Sequence, residues 1–162
     1  MKTAIVFYSM SGNTKYAAKK IALKAGADLI EIKPQKTYPD KGFRKFIWGG
    51  KSAVMGDTPK LLPYNFDADK YDLIVFGYPV WASNFTPPIK SFIKENKESI
   101  SDKAFAVFAC SMGGGAEKSI EKLKKYLQIK DFKATLSLID PKDKPSEENE
   151  KKIDDFISKL EF

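Results

Sequence analysis

Residues 9–14 read Ser-Met-Ser-Gly-Asn-Thr and follow directly on the apolar run Thr3-Ala-Ile-Val-Phe-Tyr8. An amphipathic helical pattern begins where they end. A strand that breaks into hydroxyls, one glycine and an asparagine before entering a helix gathers N–H and O–H donors at the helix N-terminus. Phosphate binds readily at such a place, because the donors converge and the helix dipole favours negative charge. Helix capping alone needs one such residue, not a run of six. The turn holds no lysine, so it is not a Walker loop, and it is not the Gly-x-Gly-x-x-Gly dinucleotide turn. A monophosphate held without a metal fits it better than a nucleoside triphosphate.

Two more segments carry an unusual density of ligand-type residues. Tyr78-Pro-Val-Trp-Ala-Ser-Asn-Phe-Thr-Pro-Pro88 and Cys110-Ser-Met-Gly-Gly-Gly115 each follow a strongly apolar run. Together with Ser9–Thr14 they offer hydroxyl and amide donors, an aromatic plate at Trp81 and a flexible glycine rim. That assortment suits a planar aromatic ligand with a phosphate tail.

The elements that must position these segments follow from the periodicity. Strands are expected at 3–8, 28–32, 72–77, 104–109 and 134–139. The first, third and fourth are nearly continuous apolar runs, as strands buried on both faces of a parallel sheet should be. The second and fifth alternate, as edge strands do. Helical stripes lie between them: Ala18, Ile21, Ala22 and Ala25; Ile89, Phe92 and Ile93 after Thr86-Pro-Pro; Ala116, Ile120, Leu123 and Leu127. A last stripe, Ile153, Phe156, Ile157 and Leu160, is expected to open at Pro145-Ser-Glu-Glu. Five strand–helix alternations predict one doubly wound α/β domain over 1–162, with ligands at the carboxyl ends of the strands. Within 34–66, Thr37-Tyr-Pro-Asp-Lys reads as a loop. Gly42 to Met55 reads as a helix turning Phe43, Phe46 and Ile47 inward, with Trp48 as core or as a lid.

Composition narrows the chemistry. Histidine is absent, which removes the commonest general base and metal ligand. Cys110 is the sole cysteine, so no intrachain disulfide or cysteine-based metal cluster can form. It adjoins an apolar run and reads as a small core residue rather than a redox thiol. No metal site is assigned, Asp67, Asp69 and Asp72 reading as a solvated loop. Any demanding reaction must come from a cofactor. The net charge of +7 reads first as a solvated lysine-rich surface and, functionally, suits an anionic ligand or an acidic partner. The lysines are spread over most helices rather than along one basic stripe, so nucleic acid is not expected. No signal peptide or membrane span is read from the sequence, and a cytoplasmic location is expected.

On these motifs the chain resembles the flavodoxins and flavodoxin-like proteins that bind flavin mononucleotide (FMN), the short-chain type being nearer. Ser9-x-Ser11-Gly12-Asn13-Thr14 is similar to the family's phosphate loop, Pro79 to Asn84 to its second flavin-contacting loop, and Ser111 to Gly115 to its third. The resemblance implies a five-stranded parallel sheet in order 2-1-3-4-5, noncovalent FMN, and transfer of one or two electrons to a redox partner. It implies that Ser9, Ser11, Asn13 and Thr14 bond the phosphate, with Met10 in the same loop and Gly12 allowing close approach. Pro79, Val80 and Asn84 would belong to the second loop, with Trp81 near or against the isoalloxazine and the Ala82–Ser83 backbone at flavin N5. Ser111, Met112, Gly113 and Gly114 would border either the dimethylbenzene or the pyrimidine edge.

Several features depart from the family. Flavodoxins are usually acidic, and this chain is basic, so its partner is expected to dock through an acidic surface. The third loop lacks the tyrosine that often covers the outer flavin face. That gap keeps open an NAD(P)H-dependent FMN or quinone reductase on the same fold. A noncatalytic phosphate- or nucleotide-sensing domain is a further alternative. The likeness of Ser52-Ala-Val-Met-Gly-Asp57 to a Met-Gly flavin loop is taken as accidental, since it precedes the third strand.

Overall fold

The computed structural model describes residues 1–38 and 56–160. Within them lie five strands: β1 Thr3–Phe7, β2 Asp28–Glu31, β3 Leu73–Pro79, β4 Ala104–Ser111 and β5 Thr135–Ile139. Four α-helices alternate with them: α1 Asn13–Ala25, α2 Pro87–Asn96, α3 Ala116–Leu127 and α4 Glu147–Leu160. The helix expected over 42–55, with Phe43, Phe46, Ile47 and Trp48, falls outside the described residues. So does most of Ser52–Asp57.

All five strands are parallel, in the order β2-β1-β3-β4-β5. Each strand divides its side chains between two cores, because successive residues point to opposite faces. Ala4, Val6, Ile74, Phe76, Phe105 and Val107 pack on one side with Ile89, Phe92, Ile120 and Leu123, from α2 and α3. Ile5, Phe7, Leu73, Val75, Ala106 and Phe108 pack on the other with Ile21, Ile153 and Phe156, from α1 and α4. The predicted apolar stripes are therefore the faces that these helices bury. The exposed ion pairs that link α1 to α4, Lys20–Glu150 and Lys24–Asp154, add little to that burial.

Most strand boundaries fall within one residue of the sequence expectation, but the ends of β3 and β4 and the start of the last helix differ in ways that matter. β3 runs on through Tyr78 and Pro79, and β4 through Cys110 and Ser111. The two strands pair along this extension, Tyr78 with Ala109 and Pro79 with Cys110. Ladder pairing thus overrides the Pro and Ser signals that suggested loops. At the other end of the chain, Ser146 rather than Pro145 begins the last helix: its Oγ accepts from the Asn149 N–H at 3.1 Å.

The course of β1 and β3 fixes the site. From β1 the chain goes through α1 to β2 on one side. From β3 it goes through α2 to β4 on the other. The carboxyl ends of β1 and β3 consequently border the crevice where the winding reverses. One glycine holds the central strands in contact there. A Cβ on Gly77 would lie 2.1 Å from Phe108 Cζ on the paired strand. Gly77→Ala is expected to cost about 2–3 kcal/mol in urea unfolding. A loss below about 0.5 kcal/mol would show that Phe108 is not locked in place.

Candidate flavin site

A cleft of about 470 Å³ opens at the carboxyl ends of β1, β3 and β4. Met10, Ser11 and Asn13 of the first loop line it, together with Pro79 to Ser83 of the second and Ser111 to Gly114 of the third. The three segments singled out in the sequence thus meet at one place. Four of the expected residues, Ser9, Gly12, Thr14 and Asn84, stand behind its wall rather than on it, and each has a structural task there.

The first loop is built to leave donors free. Gly12, in a left-handed conformation with φ of 97°, starts α1 without any side-chain cap of its own. Ser9 Oγ accepts from the Lys15 N–H at 3.1 Å, and the Tyr16 N–H bonds to the Gly12 carbonyl at 3.0 Å. The Asn13 and Thr14 N–H groups have no partner among the described residues. They are the unpaired positive end of the helix, where a phosphate is held favourably. The Thr14 side chain is buried and bonds the Cys110 thiol rather than facing the cleft.

The Asn13 side chain is likewise committed elsewhere. Its Oδ1 accepts from the N–H groups of Lys142 and Asp143, at 2.9 and 3.3 Å. Its Nδ2 donates to Asp143 Oδ2 at 2.8 Å and to Ser11 Oγ at 3.3 Å. Apart from the Ser11 bond, its hydrogen-bonding capacity is spent on a fourth loop, 140–144, between β5 and α4. No ligand-type motif in the sequence marks this loop, yet Asp140 lines the cleft. Pro141-Lys-Asp-Lys after an edge strand was the available signal.

The second loop is a two-residue hairpin. Trp81 and Asn84 exchange both backbone hydrogen bonds, at 3.1 and 2.9 Å, and Ala82 and Ser83 between them have φ of 48° and 58°. Two positive φ values mark a type I′ turn, which favours Asn and Gly over Ala and Ser. Trp81, the aromatic plate expected from sequence, lines the cleft. It is 1% exposed, and its ring meets Tyr8 and Tyr38 edge-on, with centroids 5.8 and 5.1 Å away. The ring reaches the cleft as part of a packed aromatic wall. Met10 and Met112 stand beside it, and Met112 is the most exposed of the three, at 57%. Burial, with the nearby Tyr38, raises the Tyr8 phenol well above its ordinary value, so this wall stays uncharged.

Cys110 lines the cleft floor. Burial pushes its thiol up to about 12, against an opposing hydrogen bond with Thr14, and the Asp140 charge adds to the rise. It is therefore a neutral packing group, as the sequence suggested, and not a nucleophile.

The donor set fits a phosphorylated flavin: free helix N–H groups for the phosphate, a largely apolar wall for a ring system, and backbone at a tight hairpin for ring polar atoms. A family model described as Flavodoxin matches residues 2–144. The chain belongs to the flavodoxin family. No curated protein sequence matches it. Among solved structures, a flavoprotein from Lactobacillus acidophilus in complex with FMN is 27% identical, with TM-score 0.63 over 85% of this chain and 91% of that one. A provisionally assigned flavoprotein from Bacteroides eggerthii is also 27% identical, with TM-score 0.72 over 85% and 87%. The two-electron reduced flavodoxin of Megasphaera elsdenii, 17% identical with TM-score 0.58 over 97% and 96%, shares the fold.

Two outcomes follow for this flavodoxin-family site. Ser83→Gly should relieve the left-handed strain and raise the stability of the ligand-free chain by about 1 kcal/mol in urea unfolding; a loss would mean that the Ser83 side chain outweighs its backbone cost. Cys110 should resist a thiol-specific disulfide reagent at pH 8 in the native state and react once unfolded. Rapid native labelling would contradict its burial.

Proposed function

We propose that this chain is an electron carrier that holds FMN noncovalently and passes one or two electrons to a redox protein. The observation that carries the reading is the meeting of three strand-end loops at a single cleft, with free N–H donors at the start of α1. Family membership and the FMN-bound relative support it. Bound FMN supplies the redox chemistry. The chain anchors the phosphate through the backbone of 10–14, excludes water from one side of the ring with Trp81 and Met10, and offers backbone polar groups at Ala82 and Ser83. Excluding water disfavours a charged ring and so tunes the potentials.

The exposed lysines suit a partner with an acidic docking face, since complementary charge speeds encounter. No helix among the described residues is long and apolar enough to cross a membrane. A cytoplasmic location is part of this proposal. One observation favours a second reading. A neighbouring cleft of about 410 Å³ shares Ser83, Ser111, Gly113 and Gly114 with the first and extends to Glu117 and Lys118. A reductase would need such a space for a second substrate.

Titrating the ligand-free chain with FMN and with riboflavin tests the proposal. Quenching of flavin fluorescence should give a Kd for FMN of roughly 1 μM or tighter, with riboflavin bound at least about tenfold more weakly. Absence of binding would leave a sensing domain as the surviving alternative. With a quinone present, the loaded protein should oxidise NADH or NADPH at well under about 1 per second. Turnover above that rate would transfer the assignment to the reductase.

A further inference from the structure

We infer that Lys142, far from the phosphate loop in sequence, supplies the cation for the FMN phosphate, and that Asn13 is the positioning residue that brings it there. The inference rests on the FMN reading above and concerns a residue that the loop motif does not contain. Residues 9–14 carry no charge, whereas a phosphate monoester near neutral pH carries about −1.5 to −2. Hydrogen bonds alone would leave most of that charge uncompensated.

The 140–144 loop places an ammonium beside the phosphate loop. Asp140 takes a left-handed conformation, with φ of 38°; its N–H donates to the Ser111 carbonyl at 3.0 Å and its own carbonyl accepts from the Lys144 N–H at 2.7 Å. The next two N–H groups are those that Asn13 Oδ1 receives. So held, Lys142 reaches across the first loop: Nζ donates to the Ser11 carbonyl at 2.8 Å and lies 3.4 Å from Asp143 Oδ1. It would stand 3.0 Å from a Cβ on Gly12, so the absence of a side chain there makes room for the ammonium. An ammonium has three donors, and these two contacts leave one to turn toward an anion. Asn13 Nδ2 holds the other oxygen of Asp143, Oδ2, at 2.8 Å, and the Asp143 charge offsets part of the field that Lys142 offers the phosphate. Asn13 thus contacts the loop through two backbone N–H groups and the Asp143 carboxylate, none of which involves the Lys142 side chain.

The test compares FMN and riboflavin affinities of the full chain and its Lys142→Gln, Lys142→Arg and Asn13→Ala variants by fluorescence quenching at low and high salt. Lys142→Gln should raise the FMN Kd on the order of tenfold at low salt while riboflavin changes by less than about twofold, and the FMN deficit should shrink as salt rises. Lys142→Arg should retain most of the affinity. Asn13→Ala should weaken FMN as well, and adding Lys142→Gln to it should cost little more, since both remove the same contact. An FMN Kd unmoved by Lys142→Gln, an equal loss for riboflavin, a salt-independent deficit, or full additivity with Asn13→Ala would each overturn the assignment while leaving FMN binding intact. A wild-type chain that bound no FMN would remove the functional reading, and this inference with it.

Discussion

The constraint on which the structure depends is that the central parallel strands must be covered on both faces. β1, β3 and β4 carry apolar side chains in both directions, so every connection has to cross over a face of the sheet as a helix. Parallel strands with helical crossovers send their strand-to-helix loops to one edge. With the order β2-β1-β3-β4-β5, those loops part to opposite sides between β1 and β3. The cleft is a consequence of that packing, and the cores assembled by Phe76, Phe92, Phe108 and Phe156 hold it open as a rigid frame.

Local conformations around the cleft run against the ease of the rest of the chain. Of the four described non-glycine residues with positive φ, Ala82, Ser83 and Asp140 belong to its loops, and only Gln128, at the end of α3, does not. Each such residue costs on the order of 1 kcal/mol or more, and such costs persist where surrounding structure over-determines them. Here the Trp81–Asn84 bridge fixes the first two, and the Asp140–Ser111 and Lys144–Asp140 bonds fix the third. The backbone is thereby arranged before any ligand arrives, so less ordering remains to oppose binding.

Much of this was legible in the sequence, for identifiable reasons. The continuous apolar runs and the 3.6-residue stripes name the strands, the helices and their buried faces, since burial is what those patterns encode. The three ligand-bearing segments announce themselves by composition. Side-chain assignments within them were harder. Asn13 and Thr14 look like phosphate ligands because of their types, but their partners, Asp143, Lys142 and Cys110, lie about 100 residues or more away along the chain. Trp81 reads from sequence as an aromatic plate, but its edge-on packing on Tyr8 and Tyr38 depends on residues distant in the chain. Lys142, one of many lysines, has only the weak signal of Pro141-Lys-Asp-Lys after an edge strand, and the course of β5 alongside β4 is what brings it to the first loop.

The central claim is that a phosphorylated flavin seats tail-first at the start of α1, between the ends of β1 and β3. Amide chemical-shift mapping on the isotopically labelled, ligand-free chain tests it most directly. On addition of FMN the largest shifts should fall on residues 10–14, 80–83, 111–114 and 140–142. Riboflavin should reproduce those of the second and third groups and spare 10–14. Shifts centred instead on the groove between α2 and the end of α3, lined by Lys90, Lys94, Phe105 and Ile129, would contradict the account.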